Sequence, residues 1–217
     1  MFATIALFAA LLLPISQSAP VKPATPAEIA AARVIADRLI SEAGARGVFE
    51  NATEDGTPTV LHPASGLTCG FSGDRHDYIR IFPASLGGVE RGDDVACGMW
   101  MLGSEHTIYA TRYPDRHSAR EDLDAAIAAF RQRLPNARPH TGDVALVSRE
   151  GGPDILLAAY DVEIEDQPKL SLILVSKVGD WSFKHRATGP IADETLALMA
   201  GMSFILSLPG GRSPTKP

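Results

Sequence analysis

Eight consecutive residues, 95–102, read Val-Ala-Cys-Gly-Met-Trp-Met-Leu and offer water no charge, hydroxyl or amide. A strand made from such a run has no polar face, so it must be covered on both sides. That demands a sheet with packing elements over each face. The neighbouring runs, residues 78–82 and 107–113, are rich in β-branched and aromatic residues and end in turn formers. Pro83, Gly87-Gly88 and Gly92-Asp93-Asp94 fill the first gap, and Gly103-Ser104-Glu105-His106 the second. The expectation is an antiparallel meander with residues 95–102 near the centre of the sheet.

Both cysteines belong to this region. Cys97 sits in the apolar run, and Cys69 in residues 67–71, another strand candidate. If the two strands lie close together, the thiols come within the short range a disulfide needs. Closing a loop of this length stabilises by about 3–4 kcal/mol in the chain-entropy model. The competing reading is two separate buried thiols, because free cysteine is among the most buried residue types.

Compartment decides between these readings. Residues 2–13 are apolar and uncharged, Pro14 follows, and Ser16 and Ser18 are small. This has the length of a secretory leader and is too short to span a bilayer. Residues 1–18 are therefore expected to be a signal peptide, although no Lys or Arg precedes the apolar core. Export to a periplasmic or extracellular space favours a Cys69–Cys97 bridge. The remaining roughly 200 residues suit one domain, expected over 19–208, with residues 209–217 a disordered tail. A net charge of −6 with no basic cluster argues against nucleic acid as a partner, and no stable membrane span is expected.

Three helices are legible. Thr25-Pro26-Ala27-Glu28 and Ser118-Ala119-Arg120-Glu121 are capping boxes, the first with Pro at the opening position. The first helix buries a stripe including Ala32, Ala36 and Leu39, and Gly44 stops it; the second places Leu123, Ile127, Phe130 and Leu134 on one side. A third helix, 191–206, carries Leu198, Met202 and Ile205 in one row. Strands are expected at 59–62, 143–148, 154–162, 169–177 and 181–188. In the last of these, Trp181, Phe183, His185 and Ala187 share one face. Ser182, Lys184, Arg186 and Thr188 share the other, which reads as solvated. The fold class is α+β: an antiparallel sheet of about six to seven strands packed with three helices.

The final strand reads W-x-x-K-x-R-x-T across Trp181, Lys184, Arg186 and Thr188 and runs into Gly189-Pro190. This resembles exported bacterial proteins of uncharacterised function and, more distantly, the α/β/α sandwich of the PsbP/Mog1-like superfamily. The resemblance implies a binding role toward other proteins rather than catalysis. It transfers no site residue.

Chemistry-bearing residues are few. Gly66-Leu67-Thr68-Cys69-Gly70 has the outline of a nucleophile elbow, but a turn follows where a helix is needed. Asp74, His76 and Asp77 crowd an imidazole and two carboxylates into four residues, and His62, His106, His117 or His185 could join them in space. No pair has a recognised metal spacing, and surface turns commonly hold these residues. Arg80, Lys184 and Arg186 form an anion-binding face if their strands are neighbours. His185, on the apolar side, reads as a hydrogen-bonded core residue. Residues 163–166 form an acidic turn without the ligand spacing of an EF-hand. Asn51-Ala52-Thr53 matches a glycosylation acceptor. No nucleotide-binding loop is present and no cofactor is expected. The functional expectation is an exported domain that binds a partner or small ligand in the envelope without catalysis. The alternative is an envelope hydrolase or metal-dependent enzyme using Asp74, His76 and Asp77.

Overall fold

A computed structural model describes residues 22–83, 90–147, 149–190 and 193–211. The expected leader, residues 1–18, and residues 212–217 of the expected tail lie outside the described residues. Helix α1 spans Pro26–Glu42, α2 Ala119–Arg133 and α3 Asp193–Ser207. Both capping boxes are formed: Thr25 and Ser118 accept from the backbone N–H of Glu28 and Glu121, whose carboxylates accept in return from the cap N–H groups.

Strands β1 (Glu50–Asn51), β2 (Thr59–His62) and β3 (Leu67–Gly70) make a small antiparallel sheet. The large sheet holds β4 (Tyr78–Ile81), β5 (Asp94–Met101), β6 (Ser104–Arg112), β7 (Arg138–Pro139), β8 (Leu156–Ile164), β9 (Gln167–Val178) and β10 (Trp181–Gly189). Its order is β4-β5-β6-β10-β9-β8-β7, antiparallel at every step. The fold is α+β, as the sequence led one to expect. The apolar strand β5 is second from an edge rather than central. Its double cover comes from the small sheet and α3 on one face and from its own neighbours' side chains on the other.

Two cores flank the large sheet. On one face Ala36 and Leu39 of α1, Val60, Leu67 and Cys69 of the small sheet, and Leu196, Ala200 and Phe204 of α3 meet Val95, Cys97, Ile108, Leu172 and Phe183. On the other, Leu123 and Phe130 of α2 pack with Tyr160, Val162, Ile173 and Val175. The Cys69–Cys97 disulfide joins β3 to β5, with Cα atoms 6.4 Å apart. It ties the small sheet onto the large one across the first core.

Three local expectations change. Residues 143–147 are not a strand; Val144 and Leu146 pack against the core from a segment outside both sheets. That segment crosses α3 at Gly201, where a Cβ would lie 3.4 Å from the Val147 nitrogen. The period-two alternation therefore serves a strap, not a ladder. The β5–β6 turn is Leu102-Gly103, both at positive φ, so β6 begins at Ser104. Helix α3 buries Leu196, Ala197, Ala200 and Phe204, and turns Leu198, Met202 and Leu206 outward.

Candidate functional site

Sheet register brings the three predicted cationic residues together. Arg80 pairs with Ala96, Ala96 with Tyr109, and Tyr109 with Lys184. The adjacent row runs Tyr78, Gly98, Thr107, Arg186. All these positions share one face, because cross-strand partners point the same way. Small residues on β5 lower the floor between the taller rows. The Tyr78 ring covers Gly98, where a Cβ would come within 2.0 Å of it, and the Tyr78 hydroxyl reaches Thr107 Oγ1 at 3.3 Å. Helix α2 lies over β8 and β9 and walls the cleft with Ala126, Ala129, Phe130 and Arg133. The result is a cleft of about 550 Å³ between α2 and the β4–β10 half of the sheet. The face expected to be simply solvated is thus partly roofed, and Lys184 and Arg186 are half-buried.

Among the described residues its lining carries aromatic rings, the cations Arg80, Arg133, Lys184 and Arg186, and one carboxylate, Glu105. Phe82 and Tyr109 stack with centroids 6.2 Å apart. The Arg80 guanidinium sits 5.5 Å from the Tyr78 centroid and 5.9 Å from Phe82, and Lys184 Nζ 4.4 Å from Tyr109. Among the described residues, none of Arg80, Arg133, Lys184 and Arg186 has a carboxylate at ion-pair distance. Burial pulls the Lys184 pKa below the usual lysine range, with Arg186 and Arg133 pushing the same way and Asp94 opposing. Burial raises the Tyr109 pKa, and Arg186 opposes the rise. Sequence reasoning missed Tyr78, Phe82, Tyr109 and Arg133. The one usable signal was Gly98, since a glycine inside a strand often marks close approach of another group.

The other cluster does not assemble. Asp74 Oδ1 and His76 Nδ1 lie 2.7 Å apart in an exposed turn, with the His76 ring against Trp100. Asp77 does not join them. Its carboxylate accepts from Gly73 N at 2.7 Å, Ser72 Oγ at 3.3 Å and Trp100 N at 3.4 Å, pinning the turn to β5. His62, His106 and His185 are buried elsewhere. Among the described residues no three His, Cys, Asp or Glu side chains are grouped to hold a metal ion. The acidic turn is the β8–β9 hairpin, with Glu165 and Asp166 at positive φ. Asn51 Nδ2 donates to Arg33 O and Asp37 Oδ1, so α1 occupies the nitrogen a glycan would need.

His185 is a bonded core residue. Its Nδ1 lies 3.1 Å from Ala200 O and its Nε2 3.2 Å from His106 Nδ1. His106 Nε2 is 3.3 Å from Ser104 Oγ, which donates to Met101 O at 2.8 Å. Four links join two carbonyls through three groups, and the neutral groups supply three protons. With Ser104 committed to Met101 O, and each imidazole donating toward Ala200, the long Ser104–His106 contact is the link left without one.

No protein-family model and no curated protein matches the chain. A solved structure of a protein of unknown function, PA94 from Pseudomonas aeruginosa, aligns over 58% of this chain and 78% of its own at 12% identity and a TM-score of 0.34. At that score the likeness carries no argument. Among the described residues no helix is long and apolar enough to cross a membrane.

Proposed function

We propose that this chain is an exported binding domain, periplasmic or secreted, and that the cleft between α2 and the sheet holds a small anionic ligand with a flat ring. The observation that carries the reading is Lys184. It is a half-buried cation with no carboxylate at ion-pair distance among the described residues: Asp94, two positions along β5 from Ala96 on the same face, favours its charge from farther off, while Arg186 and Arg133 press against it. Unpaired buried charge is unfavourable, and an anion in the cleft would relieve it. The stacked Phe82–Tyr109 pair offers a surface for a ring, and the volume falls in the range of small-ligand sites. Among the described residues the cleft lining sets no serine or cysteine beside an imidazole, and binding is the reading taken over hydrolysis. The leader-like N-terminus and the Cys69–Cys97 bridge support export. The resemblance to PsbP/Mog1-like sandwiches is taken as further support for binding over catalysis.

Calorimetry against aromatic phosphates and carboxylates tests the cleft. The expected outcome is binding that weakens with salt, takes up protons at alkaline pH as Lys184 regains its charge, and falls at least about tenfold in Lys184→Met, the loss of one charge-assisted contact. Failure of the whole panel to bind, or equal binding by the variant, overturns it. Mass spectrometry of the N-terminus in fractionated cells tests export, and an intact leader on cytosolic protein sinks that part.

A further inference from the structure

All the methionines among the described residues, four of the five in the chain, line one groove. Met99 and Met101 are two apart on β5, so they leave the same face of the strand. Met199 and Met202 are three apart on α3, so they are neighbours on the helix surface. The groove between these elements is about 350 Å³ and mostly apolar, and Ser203 Oγ approaches Met99 Sδ at 4.0 Å. Packing alone explains Met99, which is buried, but not Met202, which is 43% exposed. Helix α3 stays apolar on its outer side where a surface helix ordinarily turns polar.

We propose that this groove is a binding site for a soft monovalent cation, Cu(I), held by the thioethers of Met99, Met101, Met199 and Met202. Thioether sulfur is a soft, neutral donor that selects Cu(I) over the harder divalent ions, which take imidazole, thiolate and oxygen. Both cysteines are committed to the disulfide, so methionine is the only sulfur left to coordinate. Each of these side chains has three rotatable bonds, the freedom with which sulfurs lining one groove would turn onto a shared ion. The ion binds as Cu(I), with no electron transferred. Unlike thiolate or imidazole, a thioether carries no proton in this pH range, so binding releases none.

Silver(I), a redox-inert stand-in, supplies the test. The full-length chain is titrated in chloride-free buffer by calorimetry and native mass spectrometry. The expected result is one ion per chain, with affinity unchanged between pH 5 and pH 8. Met99→Leu and Met202→Leu each roughly conserve volume, the kind of exchange that cores tolerate best. Each is expected to weaken binding at least about tenfold, the scale on which even supporting residues act at metal sites, while His76→Ala leaves it unchanged. No bound ion, binding indifferent to both leucine variants, or binding that fails below pH 6.5 and is lost in His76→Ala each overturns the proposal. Unfolding curves of the variants without silver distinguish a lost ligand from a lost fold; if both are misfolded, Met101→Leu and Met199→Leu decide by the same criterion.

Discussion

On one face of the large sheet, α1, α3 and the small sheet close over Val95, Cys97, Ile108, Leu172 and Phe183. On the other, α2 covers β8 and β9 and stops, leaving Arg80, Tyr109, Lys184 and Arg186 around an open cleft. The strands alternate in the same way on both sides, and what differs is the number of elements available to cover them. The closed face stores stability and even keeps its histidines neutral. Among the described residues the cations of the open face have no carboxylate at ion-pair distance, which stability alone would disfavour.

This contrast can be broken or sharpened by measurement. The largest effect is expected from Phe183→Ala on the closed face, at about 3–5 kcal/mol lost in denaturant unfolding. Phe82→Ala on the open face should lose only about 1 kcal/mol, since its ring is half out of water. Equal losses would erase the distinction. Replacing both cysteines by alanine should lower stability by about 3–4 kcal/mol, and reductant should reproduce the loss in the native chain and leave the variant unmoved.

Acid comes next. Burial holds the folded pKa of His62 and His106 to about 4 and that of His185 to about 3, against 6.5 for the free group. The unfolded chain therefore takes up protons first as pH falls below 6.5. Stability is intact above 6.5 and declines as pH drops toward the folded values, by about 1.4 kcal/mol per pH unit for each histidine held neutral. Unfolding midpoints at pH 7, 6 and 5 should show the decline, and His185→Gln should make it shallower, leaving the share of His62 and His106. A flat profile in the native chain would mean these imidazoles titrate freely. The smallest effect belongs to the exposed turn. His76→Ala should stay within about 0.5 kcal/mol, because an exposed pair contributes little.

Much of the fold was legible because its signals are local. The Thr25 and Ser118 capping boxes, the apolar stripes of α1 and α2, and the strand at residues 59–62 depend on neighbours within a turn or a few residues. The strand expected at residues 143–148 failed because alternation reports which side chains go inward, not whether the backbone finds a partner. The cationic cleft was half legible. Parity placed Lys184 and Arg186 together, but Tyr109 entered only through β6–β10 pairing. The Met groove was invisible for the same reason, since Met99 and Met199 lie a hundred residues apart in the chain.

The sequence by itself determined the helices, most strands, the α+β class and the pairing partner available to each cysteine, because backbone preference and apolar period act at short range. Only the tertiary structure decided that β10 runs between β6 and β9. That adjacency sets Lys184 beside Tyr109 and leaves Arg80 across the trough. Strand order is fixed by which faces can be buried together, a property of the whole chain that no single segment carries.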